Sequence, residues 1–160
     1  MTNEDFAARV TAMTDTLYRV CCTLLSVEAD REDAVQEAIC RAWEKRDSLK
    51  NARFFQTWMV RILLNTCYDV LRARKRVVYM DELPEPEAKA DDIPEETIVL
   101  RKAVSALDER LRLPVVLHYT EGFSLEEIAQ MLGISRGAVK QRLYRARALL
   151  KEQLTEEENI

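Results

Sequence analysis

Ser124-Leu125-Glu126-Glu127-Ile128-Ala129-Gln130-Met131-Leu132, then Gly133-Ile134-Ser135, then Arg136-Gly137-Ala138-Val139-Lys140-Gln141-Arg142-Leu143-Tyr144-Arg145-Ala146-Arg147 is the stretch that decides the fold. It reads as a short capped helix, a tight glycine turn and a long basic helix, the helix-turn-helix arrangement. Ser124 with Glu127 three residues on makes a capping box, worth roughly 1 kcal/mol. Leu125, Ile128, Ala129 and Leu132 form one apolar stripe. Gly133 stands where a chain leaving a helix needs positive φ. Ser135 is placed to cap the second helix, whose Val139, Leu143 and Ala146 recur at helical spacing and should face the core.

The other faces of that second helix carry Arg136, Lys140, Arg142, Arg145, Arg147 and Lys151, and no acid interrupts residues 136–151. A basic helix held at a fixed angle by a capped partner is suited to the major groove. Residues near its start reach base edges, and basic residues further along grip phosphates. The expected base-proximal set is Arg136, Lys140, Gln141 and Tyr144; the expected phosphate set is Arg142, Arg145 and Arg147. A charge run alone would suit a solvated helix face equally well. The capping box, the glycine turn and the Val-Leu spacing together favour DNA.

Working outward, the chain has 160 residues, 48% hydrophobic and 32% charged, with three glycines and four prolines. That composition predicts an all-α protein of one domain or two small ones. No apolar run is long enough to span a membrane, and Met1-Thr2-Asn3-Glu4-Asp5 lacks a basic leader, so a cytoplasmic location without direct membrane insertion is expected. The net charge of −4 is unevenly spread: residues 77–96 hold eight acids and one base, which leaves the remainder at net +3. So modest an excess predicts weak DNA binding alone, and a larger partner that brings the chain to DNA. Cys21, Cys22, Cys40 and Cys67 form no CxxC pair, and His118 is the single histidine, so structural zinc is not expected. The cysteines read as reduced, buried small hydrophobes, with a redox role for the adjacent Cys21 and Cys22 as the minor alternative.

Phe6, Val10, Met13, Leu17 and Leu24 predict a helix from Asn3 to about Leu25. Asp30 is expected to cap a second helix that ends at Lys45-Arg46. A third helical run extends from about Ala52 to Arg76, with Phe55, Trp58, Met59 and Ile62 towards a core and a break or internal cap at Asn65-Thr66. Residues 77–93 lack a helical period and read as an extended acidic tether. Pro94-Glu95-Glu96 opens the next helix, with proline in its first turn; Leu100, Val104, Leu107 and Leu111 continue the pattern. Asp108 caps a following helix that Pro114 should kink. The expected architecture is two small helical domains, 1–76 and 96–160, joined by an acidic linker, 77–95.

The first domain has its own signature: Asp33-Ala34-Val35-Gln36-Glu37, Arg41-Ala42-Trp43, then Phe55-Gln56-Thr57-Trp58-Met59-Val60-Arg61-Ile62, Asn65, Asp69, Arg72 and Arg74-Lys75-Arg76. It resembles region two of bacterial RNA polymerase sigma factors of the extracytoplasmic-function group, group four; the helix-turn-helix resembles region four of the same group. The resemblance covers nearly the whole chain in the right order. It departs at Ala34, where leucine is usual, at Leu107-Asp108, where Leu-Pro is frequent, and at Asn51-Ala52-Arg53, which lacks the usual glycine.

The resemblance implies a non-enzymatic initiation factor that binds core RNA polymerase at the β′ clamp helices and the β flap, needs no cofactor or metal, and directs initiation at specific promoters. Region four would read the minus-thirty-five element with Ser135, Arg136, Lys140, Gln141, Arg142, Tyr144, Arg145 and Arg147. Region two would capture the melted minus-ten element with Trp58, Arg61, Asn65, Tyr68, Asp69, Arg72 and Arg76. These types suit the task, because single strands bind aromatic platforms beside basic grooves and an extruded base gains a pocket. Trp58 and Tyr68 suit a core as well. Asp33, Gln36, Glu37, Arg41 and Trp43 would form the polymerase-docking surface, with Trp43 equally suited to the interior. The acidic linker would either mimic RNA in a basic channel or serve as a spacer, its extended residues reaching about 40 Å. An anti-sigma partner is also implied. The competing classes are a stand-alone helix-turn-helix regulator, which needs a dimer interface or receiver domain not visible in the sequence, and a helical interaction protein, which has no use for the basic helix. An enzyme lacks any catalytic constellation here.

Overall fold

A computed structural model of the protein describes residues 1–75 and 94–158. Among these residues the regular structure is helical throughout, and the chain separates into two compact units. All but the last two residues of the expected acidic tether, and Arg76 with it, lie outside the described residues.

The amino-terminal unit contains α1 (Asn3–Leu24), α2 (Glu28–Glu44) and α3 (Phe55–Lys75). A capping box that the sequence reading passed over starts α1. The Asp5 N–H donates to Thr2 Oγ1 at 3.1 Å, and the Thr2 N–H donates to Asp5 Oδ2 at 3.5 Å. Phe6, Val10, Met13, Leu17, Val20 and Leu24 then fall on one buried stripe. They meet Ala34, Val35, Ala38 and Ala42 of α2 and Phe55, Met59, Leu63, Leu64 and Cys67 of α3. The small alanines of α2 let it lie close against α3.

Three local expectations need correction. Asp30 does not cap α2: the helix begins at Glu28 behind Val27, and Asp30 is ion-paired with Arg74 of α3 instead. Asn65-Thr66 does not break α3, because the Thr66 hydroxyl donates back to the Ile62 carbonyl at 2.8 Å and is satisfied within the helix. The cysteines divide: Cys21 and Cys67 are buried, while Cys22 and Cys40 are exposed.

The carboxyl-terminal unit contains α4 (Glu95–Ser105), α5 (Glu109–Val115), α6 (Leu125–Leu132) and α7 (Arg136–Glu158). Pro94 is the cap residue before α4 and not part of its first turn. Leu100 of that helix is exposed, whereas Ala103 and Leu107 face inward. Asp108 occupies the cap position of α5 but makes no side-chain capping bond. Pro114 stands inside α5, where it supplies no backbone N–H to the ladder. The helix is followed by a π-type turn over Val116–Thr120, in which the Glu121 N–H reaches the Val116 carbonyl at 3.0 Å. Leu113, Val115, Leu117, Phe123, Ile128, Val139, Leu143 and Ala146 make the core of this unit.

Candidate nucleic-acid interface

The helix-turn-helix is assembled by local bonds. The Glu127 N–H donates to Ser124 Oγ and the Ser124 N–H to Glu127 Oε1, both at 3.1 Å, so the capping box is reciprocal. Gly122 before α6 and Gly133 after it have φ of +77° and +66°. Those values turn the chain into and out of α6 without the Cβ penalty that other residues carry. The Ala138 N–H donates to Ser135 Oγ at 3.1 Å and caps α7. Val139, Leu143 and Ala146 are buried, which fixes the rotation of α7 and hence which side chains face solvent.

That rotation exposes Lys140, Gln141, Tyr144 and Arg145 as one stripe, with Tyr144 70% exposed. An aromatic ring so free of its own fold is available to a ligand. Arg136 is exposed beside them, and its Nη1 lies 3.6 Å from Glu126 Oε1 across the turn. Both partners are solvent-facing, so a phosphate can displace that pair at little cost. Ser135 uses its hydroxyl for the cap. Arg142 departs from expectation: it is half-buried, because two residues past Lys140 it lies about 200° around the helix from it. Arg147 donates through Nη1 to the Tyr119 hydroxyl at 2.7 Å. Tyr119 belongs to the π-type turn and is itself exposed, so the pair forms a second polar point one turn beyond Tyr144. Nothing in the local sequence signalled that contact.

In the amino-terminal unit, Trp58, Arg61, Asn65, Tyr68, Asp69 and Arg72 all project from α3 within an arc of roughly 100°. Arg61, Asn65 and Arg72 are exposed; Trp58, Tyr68 and Asp69 are half-buried. Trp58 leans on Phe55 with ring centroids 5.7 Å apart and the planes tilted by 48°, and it stays partly exposed. The stripe thus has two exposed cations, one free amide and two part-open aromatic rings, the composition of a single-strand platform.

Asp69 has a different occupation from its neighbours. It accepts from Arg41 Nη1 of α2 at 2.7 Å and also pairs with Arg72. The hydrogen bond from Arg41 holds its carboxyl below the usual carboxylate range, with Arg72 adding and burial opposing. Arg41 in turn donates to Glu37 at 3.1 Å and to the Thr66 hydroxyl at 3.4 Å. Its guanidinium is held above its ordinary value, first by the bond to Asp69. Arg41 therefore joins α2 to α3 and is committed internally. The shallow groove beside it is lined by Asp33, Gln36, Glu37 and Cys40 of α2 and by Val70 and Ala73 of α3. Asp33, Gln36 and Glu37 are exposed there. Trp43 lies apart from that groove's lining: it packs edge-on against Phe6 with centroids 5.2 Å apart, and Arg46 covers its ring at 3.8 Å.

The connection from α2 to α3 is a surface the sequence reading missed. Lys45, Lys50, Arg53 and Phe54 are exposed on it, with the Arg53 guanidinium 6.0 Å from the Phe54 ring. The run of Lys45, Arg46, Lys50 and Arg53 up to Phe54 was the available signal. Among the described residues no group of three or more His, Cys, Asp or Glu is placed to hold a metal ion. No helix there is long and apolar enough to cross a membrane.

Comparison with known proteins identifies the family. Residues 10–77 match the model of sigma-70 region 2, and residues 97–150 match that of sigma-70, region 4. The chain is 33% identical over 156 positions to the RNA polymerase sigma factor SigV of Bacillus subtilis, covering 95% of this chain and 94% of that protein. It is likewise 33% identical over 167 positions to the ECF RNA polymerase sigma factor SigW of the same organism, covering 94% and 89%. Among solved structures it is similar to the sigma factor RpoE of Bartonella quintana, crystallised with the anti-sigma factor NepR. The TM-score is 0.80 at 28% identity, over 95% of this chain and 98% of that one.

Proposed function

We infer the function from one premise: the chain belongs to the sigma-70 family, as an extracytoplasmic-function sigma factor. It directs promoter-specific initiation by bacterial RNA polymerase, and it works by binding and positioning, with no catalytic step of its own. Within the family we place it in group four, and we place its work in the cytoplasm, where the polymerase and the promoter are. We assign residues 1–76 to region two, 77–95 to the linker and 96–160 to region four.

The observation that carries the reading is the pairing of two differently built surfaces in one chain. One is a capped, rotationally fixed basic helix, α7, suited to duplex DNA. The other is the α3 stripe of Arg61, Asn65, Tyr68 and Arg72, suited to a displaced strand. In this proposal Lys140, Gln141 and Tyr144, with Arg136, read the minus-thirty-five duplex. Arg145, and Arg147 with Tyr119, hold its backbone. Ser135 and the half-buried Arg142 serve chiefly to set and flank that helix. On α3, Asn65 receives an extruded minus-ten base between the exposed cations, with Trp58 as the wall. Asp69 orients Arg72 and does not itself meet the strand, since a carboxylate facing a phosphate would repel it. Asp33, Gln36 and Glu37 offer the groove on α2 to the clamp helices of β′, and the β flap takes region four. An anti-sigma factor as a further partner is supported by the likeness to RpoE of Bartonella quintana, which was crystallised with one. A stand-alone regulator would leave the whole α1–α3 unit without a task.

The test is reconstitution. Added to bacterial core polymerase, the protein should support run-off transcription from a cognate promoter, and Asn65→Ala should lower permanganate reactivity of the melted strand more than it lowers closed-complex formation. Equal losses in both assays would remove Asn65 from the strand-capturing role; absence of core binding would remove the docking surface.

A further inference from the structure

Cys21 of α1 and Cys67 of α3 are both fully buried, and their Sγ atoms face each other 3.4 Å apart. The promoter-binding surfaces use neither thiol, and a packing role alone does not require two sulfurs to meet. We propose that Cys21 and Cys67 form an oxidation site that closes to a reversible intramolecular disulfide between α1 and α3 under a peroxide-class oxidant. From 3.4 Å, each sulfur moves only about 0.7 Å to reach bonding distance, which side-chain rotation supplies.

The surroundings divide the two roles. The two sulfurs share a hydrogen bond in which either can donate, and this contact, aided by the nearby Arg31 guanidinium against the effect of burial, holds Cys21 below the ordinary thiol range. The same bond, together with burial, pushes Cys67 well up. Arg31 is itself fixed, donating from Nε to the Leu25 carbonyl at 2.7 Å and from Nη2 to the Ser26 carbonyl at 3.3 Å. Cys21 also lies against Arg31, its Sγ 3.9 Å from the Arg31 carbonyl, so this fixed cation beside it makes Cys21 the sulfur that attacks and Cys67 the one that resolves. The Cys21 sulfur attacks one peroxide oxygen; the S–O bond forms, the O–O bond breaks and hydroxide leaves, taking a proton from solvent to become water. The Cys67 sulfur then attacks the sulfenic sulfur; the S–S bond forms, and the hydroxyl departs with the Cys67 proton as a second water. Two thiols lose two electrons in all, and one peroxide gains them.

The exposed cysteines do not offer the same chemistry. Cys22 follows Cys21 on the helix, where successive side chains diverge by about 100°, so the two do not pair without unwinding α1. Because Cys21 and Cys67 are buried, oxidant reaches them through local opening of the unit, and in a reducing compartment the bond is transient.

The experiment uses the full chain carrying Cys22→Ser and Cys40→Ser, both at exposed positions, so that Cys21 and Cys67 are the remaining thiols. After hydrogen peroxide treatment, intact mass should fall by about 2 Da, peptide mapping should join residue 21 to 67, and dithiothreitol should restore the thiols. The bond closes a loop of 46 residue separations, so Tm of the amino-terminal unit should rise on the order of 10 °C and fall back on reduction. Oxygen adducts, covalent dimers, unmodified thiols after a dose that fully oxidises glutathione, or a joined pair with unchanged Tm would each overturn the proposal. None of these readouts depends on promoter activity, so failure here leaves the sigma-factor reading untouched.

Discussion

Asp69→Asn separates positioning from binding on α3. The substitution keeps the shape of the side chain and removes its charge, leaving Arg41 with Glu37 and Thr66 alone. The Arg41 and Asp69 side chains are 33% and 42% exposed, so solvent screens part of their attraction. A pair of that kind contributes about 1 kcal/mol, between the surface median and a buried charge-assisted bond. Both tryptophans, Trp43 and Trp58, lie in the amino-terminal unit, so tryptophan fluorescence in a urea titration follows that unit alone. Expected losses are about 1 kcal/mol for Asp69→Asn, about the same for Arg41→Gln, and little more for the double variant, giving a coupling near 1 kcal/mol. The sign with pH follows from the lowered carboxyl of Asp69. Its contribution is full above the unfolded carboxylate value of about 3.9 and is lost as pH falls through the lower folded value, so the gap between wild type and Asp69→Asn closes in acid. Additive losses, with coupling below about 0.3 kcal/mol, would refute the argument and return Arg41 and Asp69 to the pool of free ligand-binding groups.

Two further outcomes follow from the carboxyl-terminal unit. Gly133→Ala should cost about 1–2 kcal/mol, because φ is +66° while a Cβ there meets nothing within 4 Å. Gly133→Asn should recover part of that loss, and amide hydrogen exchange in α6 and α7 measures both; equal losses for the two would mean that something other than φ holds the turn. Arg145→Ala should weaken promoter binding by the holoenzyme across sequences and reduce the slope of log affinity against log salt by about 0.9; an unchanged slope would remove Arg145 from the phosphate contacts.

What could be read from sequence here was whatever closes within a few residues. The Ser124–Glu127 box, Gly133 and the Ser135 cap are bonds between near neighbours, and each formed as its residue types dictate. Once Val139, Leu143 and Ala146 fix the rotation of α7, the exposed stripe follows from helical geometry alone. Misreadings arose where a distant partner competes for a side chain. Asp30 has the chemistry of a cap, yet Arg74, far along the chain on α3, takes its carboxylate. Arg41 and Asp69 have the chemistry of surface contacts for two different macromolecules, and the pairing they also make with each other across the α2–α3 seam is one that no near neighbour in sequence signals. The Thr66 case differs in kind: its hydroxyl has two local options, a break or a bond to the Ile62 carbonyl, and burial in a continuous helix decides for the second.

The same distinction orders the functional surfaces. The α7 stripe depends on local capping and one helical period, so it survives translation from sequence to structure almost residue by residue, with Arg142 the exception that the period itself explains. The α3 stripe shares that periodicity, but its electrostatics are set from outside by Arg41. On the α3 face Arg61 and Arg72 are exposed, and Asp69 is already paired with Arg41 and Arg72, which lessens the one local repulsion a strand would meet on an otherwise cationic face. Arg41 of α2 thereby sets part of the electrostatics of the α3 face through a single guanidinium. If α3 captures the melted strand as proposed, a change at Arg41 should be felt in promoter melting as well as in the stability of the unit.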